Sequence, residues 1–165
     1  MTDKFFLCGF MGSGKSTIAK QLAQFSGTEH IDLDDYIVER ENNSIPEIFA
    51  QYGEEYFRQA EIDSLGELCE SKFTVIALGG GTLMRQENIS VCKKYGKIIF
   101  LDIDFDSCYK RIKDDKNRPL VTKNSENELR NIFNMRCDIY KKASDIIVCA
   151  NSSPSDIATD ILAKL

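Results

Sequence analysis

Short apolar runs alternate along this chain with longer stretches whose apolar residues recur at helical spacing. Lys4–Gly9 (KFFLCG) reads as a buried strand, and Lys15–Phe25, with Ile18, Leu22 and Phe25 on one face, as a helix. Glu29–Leu33 is a second strand and Asp35–Glu41 a helix. Ser44-Ile45-Pro46-Glu47 is a capping-box sequence with proline in the first turn, so a new helix opens there. Tyr52-Gly53 interrupts it before a longer helix from about Glu54 to Ser71. Phe73–Leu78 (FTVIAL) is a third strand, ended by Gly79-Gly80-Gly81 and followed by a helix around Gln86–Tyr95. Lys97–Leu101 is a fourth strand and Phe105–Lys113 a helix. Asp114–Asn124 is polar, carries a proline and lacks periodicity, which predicts a mobile loop. Ser125 and Glu128 form another capping box, opening a helix to about Lys142. Asp145–Cys149 is a fifth strand and Pro154–Leu165 a closing helix. Apolar strands separated by helices predict a parallel sheet covered on both faces, a doubly wound α/β domain.

Composition narrows the function classes. With 165 residues, 42% hydrophobic and 28% charged, the chain suits one soluble domain, predicted to span 1–165. A net charge of −5 argues against broad duplex binding, so no nucleic-acid partner is expected. No apolar run approaches the roughly 18 residues of a membrane span. The apolar stretch after Met1 is short, lacks a basic flank and runs directly into a motif, so it is not read as a signal peptide. The six cysteines have neither zinc nor disulfide spacing and are expected to be reduced, mostly buried thiols of a cytoplasmic protein. His30, the only histidine, is expected to be structural.

The strongest chemical signal is Gly9-Phe10-Met11-Gly12-Ser13-Gly14-Lys15-Ser16, which fits the phosphate-binding pattern G-x-x-x-x-G-K-[ST]. Its context is right, with a strand before and a helix after. Glycine lets the backbone approach phosphate without Cβ clashes, and the N–H groups of Gly12, Ser13, Gly14 and the first helical turn through Thr17 point at the anion. Lys15 is placed on the β/γ-phosphate oxygens and Ser16 on Mg²⁺, so ATP with one Mg²⁺ is the expected ligand.

The loop alone admits kinases, switch GTPases and motor ATPases. No N-K-x-D sequence is present to read guanine, and the third strand ends in glycines rather than the usual metal-supporting aspartate. Asp102, after the fourth strand, is expected to be structural. Arg118 lies in the polar segment, where it is either a solvated surface residue or an arginine delivered over the transferred phosphoryl group. Asp32 and Asp34 are either helix caps or acids facing the phosphates. Arg58 is in position to pair with Glu61 three residues on. Arg136 in isolation reads as a surface residue of its helix. Three glycines ending a buried strand exceed what a plain turn needs.

Taken in order, GFMGSGKST at Gly9–Thr17, Asp32-Leu33-Asp34, Phe57-Arg58, Gly79-Gly80-Gly81, Arg118-Pro119-Leu120 and Arg136 resemble the shikimate kinase family over essentially the whole chain. The resemblance implies ATP-dependent phosphorylation of the 3-hydroxyl of shikimate on the route to chorismate and the aromatic amino acids. It implies a P-loop kinase fold of the nucleoside monophosphate kinase group, a five-stranded parallel sheet of order 2-3-1-4-5. A substrate-binding helical region at about 34–62 and a mobile lid at about 113–125 come with it, as does a monomer. It places Lys15, Asp34 and Arg118 in catalysis, with Asp34 holding the reacting hydroxyl. It places Arg58, Arg136 and Gly79–Gly81 on shikimate, Asp32 with Ser16 at Mg²⁺, and Arg111 with Arg118 on the nucleotide, Arg111 against adenine. A forked guanidinium suits a carboxylate, and bare glycine N–H groups suit hydroxyls.

The chain departs from related kinases at one place, and two rival readings stand beside the resemblance. Related nucleotide kinases carry an acidic residue at the end of the last strand, where this chain has Cys149, followed by Ala150-Asn151-Ser152-Ser153-Pro154. A gluconate or nucleoside monophosphate acceptor would also use a P-loop, and so would a nucleotide-dependent switch without chemistry.

Overall fold

The computed structural model describes residues 3–165. Five strands, β1 (Lys4–Cys8), β2 (His30–Asp32), β3 (Val75–Ala77), β4 (Gly96–Asp102) and β5 (Ile146–Cys149), form one sheet of order β2-β3-β1-β4-β5. Every pairing is parallel, with Phe6 in register with Ile76 on one side and Ile98 on the other. This is the predicted fold and strand order.

The near-continuous apolar strands follow from burial on both faces. Leu7, Val75, Ile99 and Val148 point into one core, which α1 (Lys15–Ser26) and α9 (Pro154–Lys164) help to close. Phe6, Ile76, Ile98 and Phe100 point into the other, beneath α4 (Glu54–Cys69) and α5 (Gln86–Tyr95). Between β2 and α4 lie α2 (Leu33–Glu41) and α3 (Ile45–Tyr52). After β4 come α6 (Phe105–Ile112), α7 (Pro119–Lys123) and α8 (Glu126–Ala143). Both predicted capping boxes are made, Ser44 with Glu47 and Ser125 with Glu128.

Some boundaries differ from expectation for physical reasons. The helix predicted from Asp35 begins at Leu33, because the Asp32 carboxylate caps it through the N–H groups of Asp34 and Asp35. The segment predicted as loop contains α7, which Pro119 opens at its first position. Thr82–Met84 adds an unpredicted 3₁₀ turn. Five of the six cysteines are buried and Cys149 is exposed. His30 is exposed at the start of edge strand β2. Among the described residues no helix is long and apolar enough to cross a membrane.

Candidate active site

The carboxyl ends of β1, β2 and β3 meet on one edge of the sheet, and each delivers a different chemical group. This is where an open α/β sheet places its ligand crevice. Beyond β1 the chain turns through Gly12 (φ 79°) and Gly14 (φ 92°), left-handed conformations that other residues seldom adopt. A Cβ on Gly12 would also lie 2.8 Å from the Cys108 carbonyl oxygen. The Lys15 ammonium donates to the carbonyls of Gly9 at 2.7 Å and Phe10 at 3.1 Å, so its head lies over the loop. Burial lowers the Lys15 pKa, and Asp34 and Asp32 pull it back up.

Asp32 divides its carboxylate between two tasks. Oδ1 caps α2, and Oδ2 accepts from the Ser16 hydroxyl. The cap and the acid facing the phosphate loop are therefore one residue. Two residues later, in the first turn of α2, Asp34 sits where burial pushes its carboxyl up to about 7, helped by Asp32 and Glu61 and opposed by Lys15 and Arg118.

The triple glycine is explained by what presses on it. A Cβ on Gly79 would lie 2.9 Å from Asp34 Oδ1 and 3.1 Å from Glu61 Oε2. One on Gly80 would lie 3.0 Å from an Arg136 nitrogen, and one on Gly81 2.6 Å from an Arg58 nitrogen. Four charged side chains are thus packed directly on bare backbone. The carbonyls of this turn are all used: Gly79 accepts from the Thr82 N–H, Gly80 from the Tyr140 hydroxyl, Gly81 from the Met84 N–H and Thr82 from the Asn88 amide. The N–H groups of Gly79, Gly80 and Gly81 find no acceptor among the described residues. The turn therefore presents donors only.

Arg58 pairs with Glu61 at 3.0 Å, as the i,i+3 spacing predicts, and Glu61 is fully buried. Arg136 is 7% exposed, which overturns its reading as a surface residue. Burial lowers its pKa, Tyr140 and Glu61 oppose this, and its Nε has no partner. A buried, under-paired guanidinium is a site for an anion.

These groups line two joined cavities. One, of about 440 Å³, is lined by Phe49 of α3 and Phe57 of α4, by Pro119 and Leu120 of α7, and by Arg58 and Arg136. The other, of about 180 Å³, follows the phosphate loop past Lys15, Ser16 and Asp32. Met11, Asp34, Gly79, Gly80 and Arg118 line both. Arg118 is held by Asp115, whose Oδ2 accepts from Arg118 Nε at 3.0 Å. A third cavity, of about 330 Å³, lies on the other side of the loop between Thr17, Arg111, Ala150 and Pro154. There Arg111 donates to the Gly12 carbonyl at 2.6 Å.

Known proteins carry the same architecture. The family model described as shikimate kinase matches residues 11–165. The shikimate kinase of Aquifex aeolicus is 39% identical over 162 residues, covering 98% of this chain and 95% of that protein. This chain belongs to the shikimate kinase family. That of Staphylococcus haemolyticus is 39% identical over 156 residues, covering 94% of this chain and 90% of that protein. The solved shikimate kinase from Acinetobacter baumannii in complex with shikimate superposes with a TM-score of 0.94 at 32% identity, covering 99% of this chain and 93% of its own. A gluconokinase from Sinorhizobium meliloti, at 12% identity and a TM-score of 0.53, shares the fold alone.

The residues named from sequence as catalytic, nucleotide-, substrate- or metal-binding all line one or another of the three cavities. What sequence reading missed is the support beneath them. Tyr140, Thr82 and Asp115 each hold a site group in place, yet in sequence they are an ordinary helix tyrosine, a threonine after glycines and a loop acid. The absent acidic residue after β5 is also resolved. Cys149 is exposed and does not line the third cavity, whose wall there is Ala150, Ser152 and Pro154.

Proposed function

We propose that this chain transfers the γ-phosphoryl group of ATP to the 3-hydroxyl of shikimate, giving ADP and shikimate 3-phosphate. The observation that carries the reading is the junction of the two cavities at Asp34 and Arg118. One arm ends on paired arginines suited to a carboxylate, the other on a phosphate loop. The carboxylate lies between Arg58 and Arg136, and the glycine N–H groups meet ring hydroxyls. The apolar walls, Phe49 and Phe57 facing Pro119 and Leu120, sandwich the ring.

Asp34 accepts a hydrogen bond from the 3-hydroxyl and aims its oxygen at the γ-phosphorus. A bond forms from that oxygen to phosphorus as the bond from phosphorus to the β–γ bridging oxygen breaks, and the hydroxyl proton passes to Asp34. In a loose phosphoryl-transfer transition state, positioning and charge neutralisation dominate, which is the task of Lys15 and Arg118. The N–H groups of Gly12, Ser13, Gly14, Ser16 and Thr17 cradle the phosphates. Ser16 and Asp32 offer the hard oxygens that would hold Mg²⁺, which would supply positive charge against the phosphates when bound. Arg111 and Pro154 bracket adenine. Residues 34–62 form the acceptor region, and residues 113–125, bearing Arg118, form the lid. The working unit in this proposal is a cytoplasmic monomer.

A coupled assay of ADP release with shikimate, gluconate and AMP as acceptors tests the proposal. Shikimate-dependent turnover is expected, with gluconate and AMP at background. ADP formed equally well with AMP, or without any acceptor, would overturn it.

A further inference from the structure

We propose that Thr82, which does not touch the acceptor cavity, is a positioning residue for the substrate carboxylate, acting through Glu61 on Arg58. The inference rests on the assignment of Arg58 to the shikimate carboxylate. Its basis is a buried relay. Glu61 is fully buried, and each of its oxygens has one partner: Oε1 accepts from Arg58 at 3.0 Å and Oε2 from the Thr82 hydroxyl at 2.7 Å. Thr82 is itself fully buried and has no freedom to re-aim. Its N–H donates to the Gly79 carbonyl at 3.2 Å, and its carbonyl accepts from the Asn88 amide at 2.9 Å.

A buried carboxylate is tolerated only while its lone pairs are matched by donors. The Thr82 hydroxyl supplies the donor on the side that Arg58 cannot reach. Remove it, and Glu61 Oε2 is left without a donor and the carboxylate turns toward others. The clamp on Arg58 then loosens. Arg58 cannot hold its aim alone, because its other acidic neighbour, Glu54, is exposed and 3.7 Å away. Both terminal nitrogens of the guanidinium lie within 2.7 Å of where a Cβ on Gly81 would stand, so the arginine packs against the glycine turn. Thr82 thus ties the glycine turn, which presents N–H groups to the hydroxyls, to the arginine that meets the carboxylate, and fixes the distance between them.

The test is steady-state kinetics of Thr82→Val, which keeps the shape and deletes the hydroxyl, with Thr82→Ala as a second deletion and Thr82→Ser as the rescue. The KM for shikimate should rise about tenfold in the Val and Ala variants, the worth of one hydrogen bond to a buried charge. The kcat should stay within about twofold, the KM for ATP should not move, and Ser should restore the KM. In an Arg58→Ala background, Thr82→Val should add nothing further, because the two act in series. An unchanged KM in Thr82→Val, a Ser variant as impaired as Val, or the same increment in the Arg58→Ala background would each overturn the inference. Wild-type enzyme inert toward shikimate would sink the functional reading and this inference with it. Wild-type turnover with an unmoved Thr82→Val KM would sink this inference alone.

Discussion

At the scale of single residues, the site is a set of charges held where water would not leave them. Asp34 is the clearest case. Its pKa is raised to about 7, chiefly by burial and then by Asp32 and Glu61, against the pull of Lys15 and Arg118. The ionised form is the one that accepts the hydroxyl's hydrogen bond. The kcat/KM for shikimate should therefore climb with pH up to about 7 and level off above it, which a pH–rate profile of the free enzyme reads directly. The stability linkage has the opposite sign. A carboxyl whose pKa rises on folding binds its proton more tightly in the folded state, so stability is lost between the ordinary value of 3.8 and about 7. Asp34→Asn should lower kcat by about two to three orders of magnitude while leaving ATP affinity nearly intact. The same variant should melt higher than wild type at pH 8, the gap shrinking toward pH 4. Equal melting temperatures across that range would contradict the assigned burial of charge. Arg136→Ala removes an under-paired cation and should raise the KM for shikimate by one to two orders of magnitude, about the worth of a buried charge-assisted pair. An unmoved KM for ATP would separate this from general damage.

At the scale of elements, the glycine turn after β3 does what no side chain could. Its carbonyls each accept a hydrogen bond inside the protein, while the N–H groups of Gly79, Gly80 and Gly81 have no acceptor among the described residues. Gly81 has an ordinary backbone conformation (φ −101°), so a substitution there meets no backbone strain. The obstacle is the Arg58 guanidinium at 2.6 Å from the Cβ position. Gly81→Ala should fold normally by circular dichroism and raise the KM for shikimate about tenfold or more, by pushing Arg58 aside. A variant that fails to fold would show the turn to be structural instead. This element also marks how far sequence reaches. The three glycines were legible as too many for a plain turn, and the parallel sheet followed from the apolar runs, whereas the strand order came only through the family resemblance. The short helix at Pro119–Lys123 was not legible, because five residues are too few for a period to register. Arg136 was legible only through family resemblance. Neighbouring polar residues on the same helix give no hint that Tyr140 and the glycine turn enclose it. The double task of Asp32 was similarly hidden, since capping and facing Ser16 use different oxygens of one residue.

At the scale of the whole molecule, an acidic chain binds two anions by concentrating its cations at one sheet edge. Lys15 lines the cavity along the phosphate loop and Arg58 and Arg136 line the larger one, with Asp34 and Arg118 common to both. Neither arm alone defines an enzyme. The phosphate loop by itself would serve a switch, and the arginine-ended cavity by itself would serve a carrier of carboxylates. Their junction makes the distance from carboxylate to reacting hydroxyl the quantity that selects both the acceptor and the position phosphorylated. The measurement that reads this most directly is phosphorus–proton correlation NMR on the product of ATP and shikimate turnover. A single product whose phosphorus couples to the ring proton at carbon 3 is the result expected from a carboxylate held by Arg58 and Arg136 with the 3-hydroxyl at Asp34. Phosphate on another hydroxyl, a mixture of positions, or inorganic phosphate alone would contradict that placement.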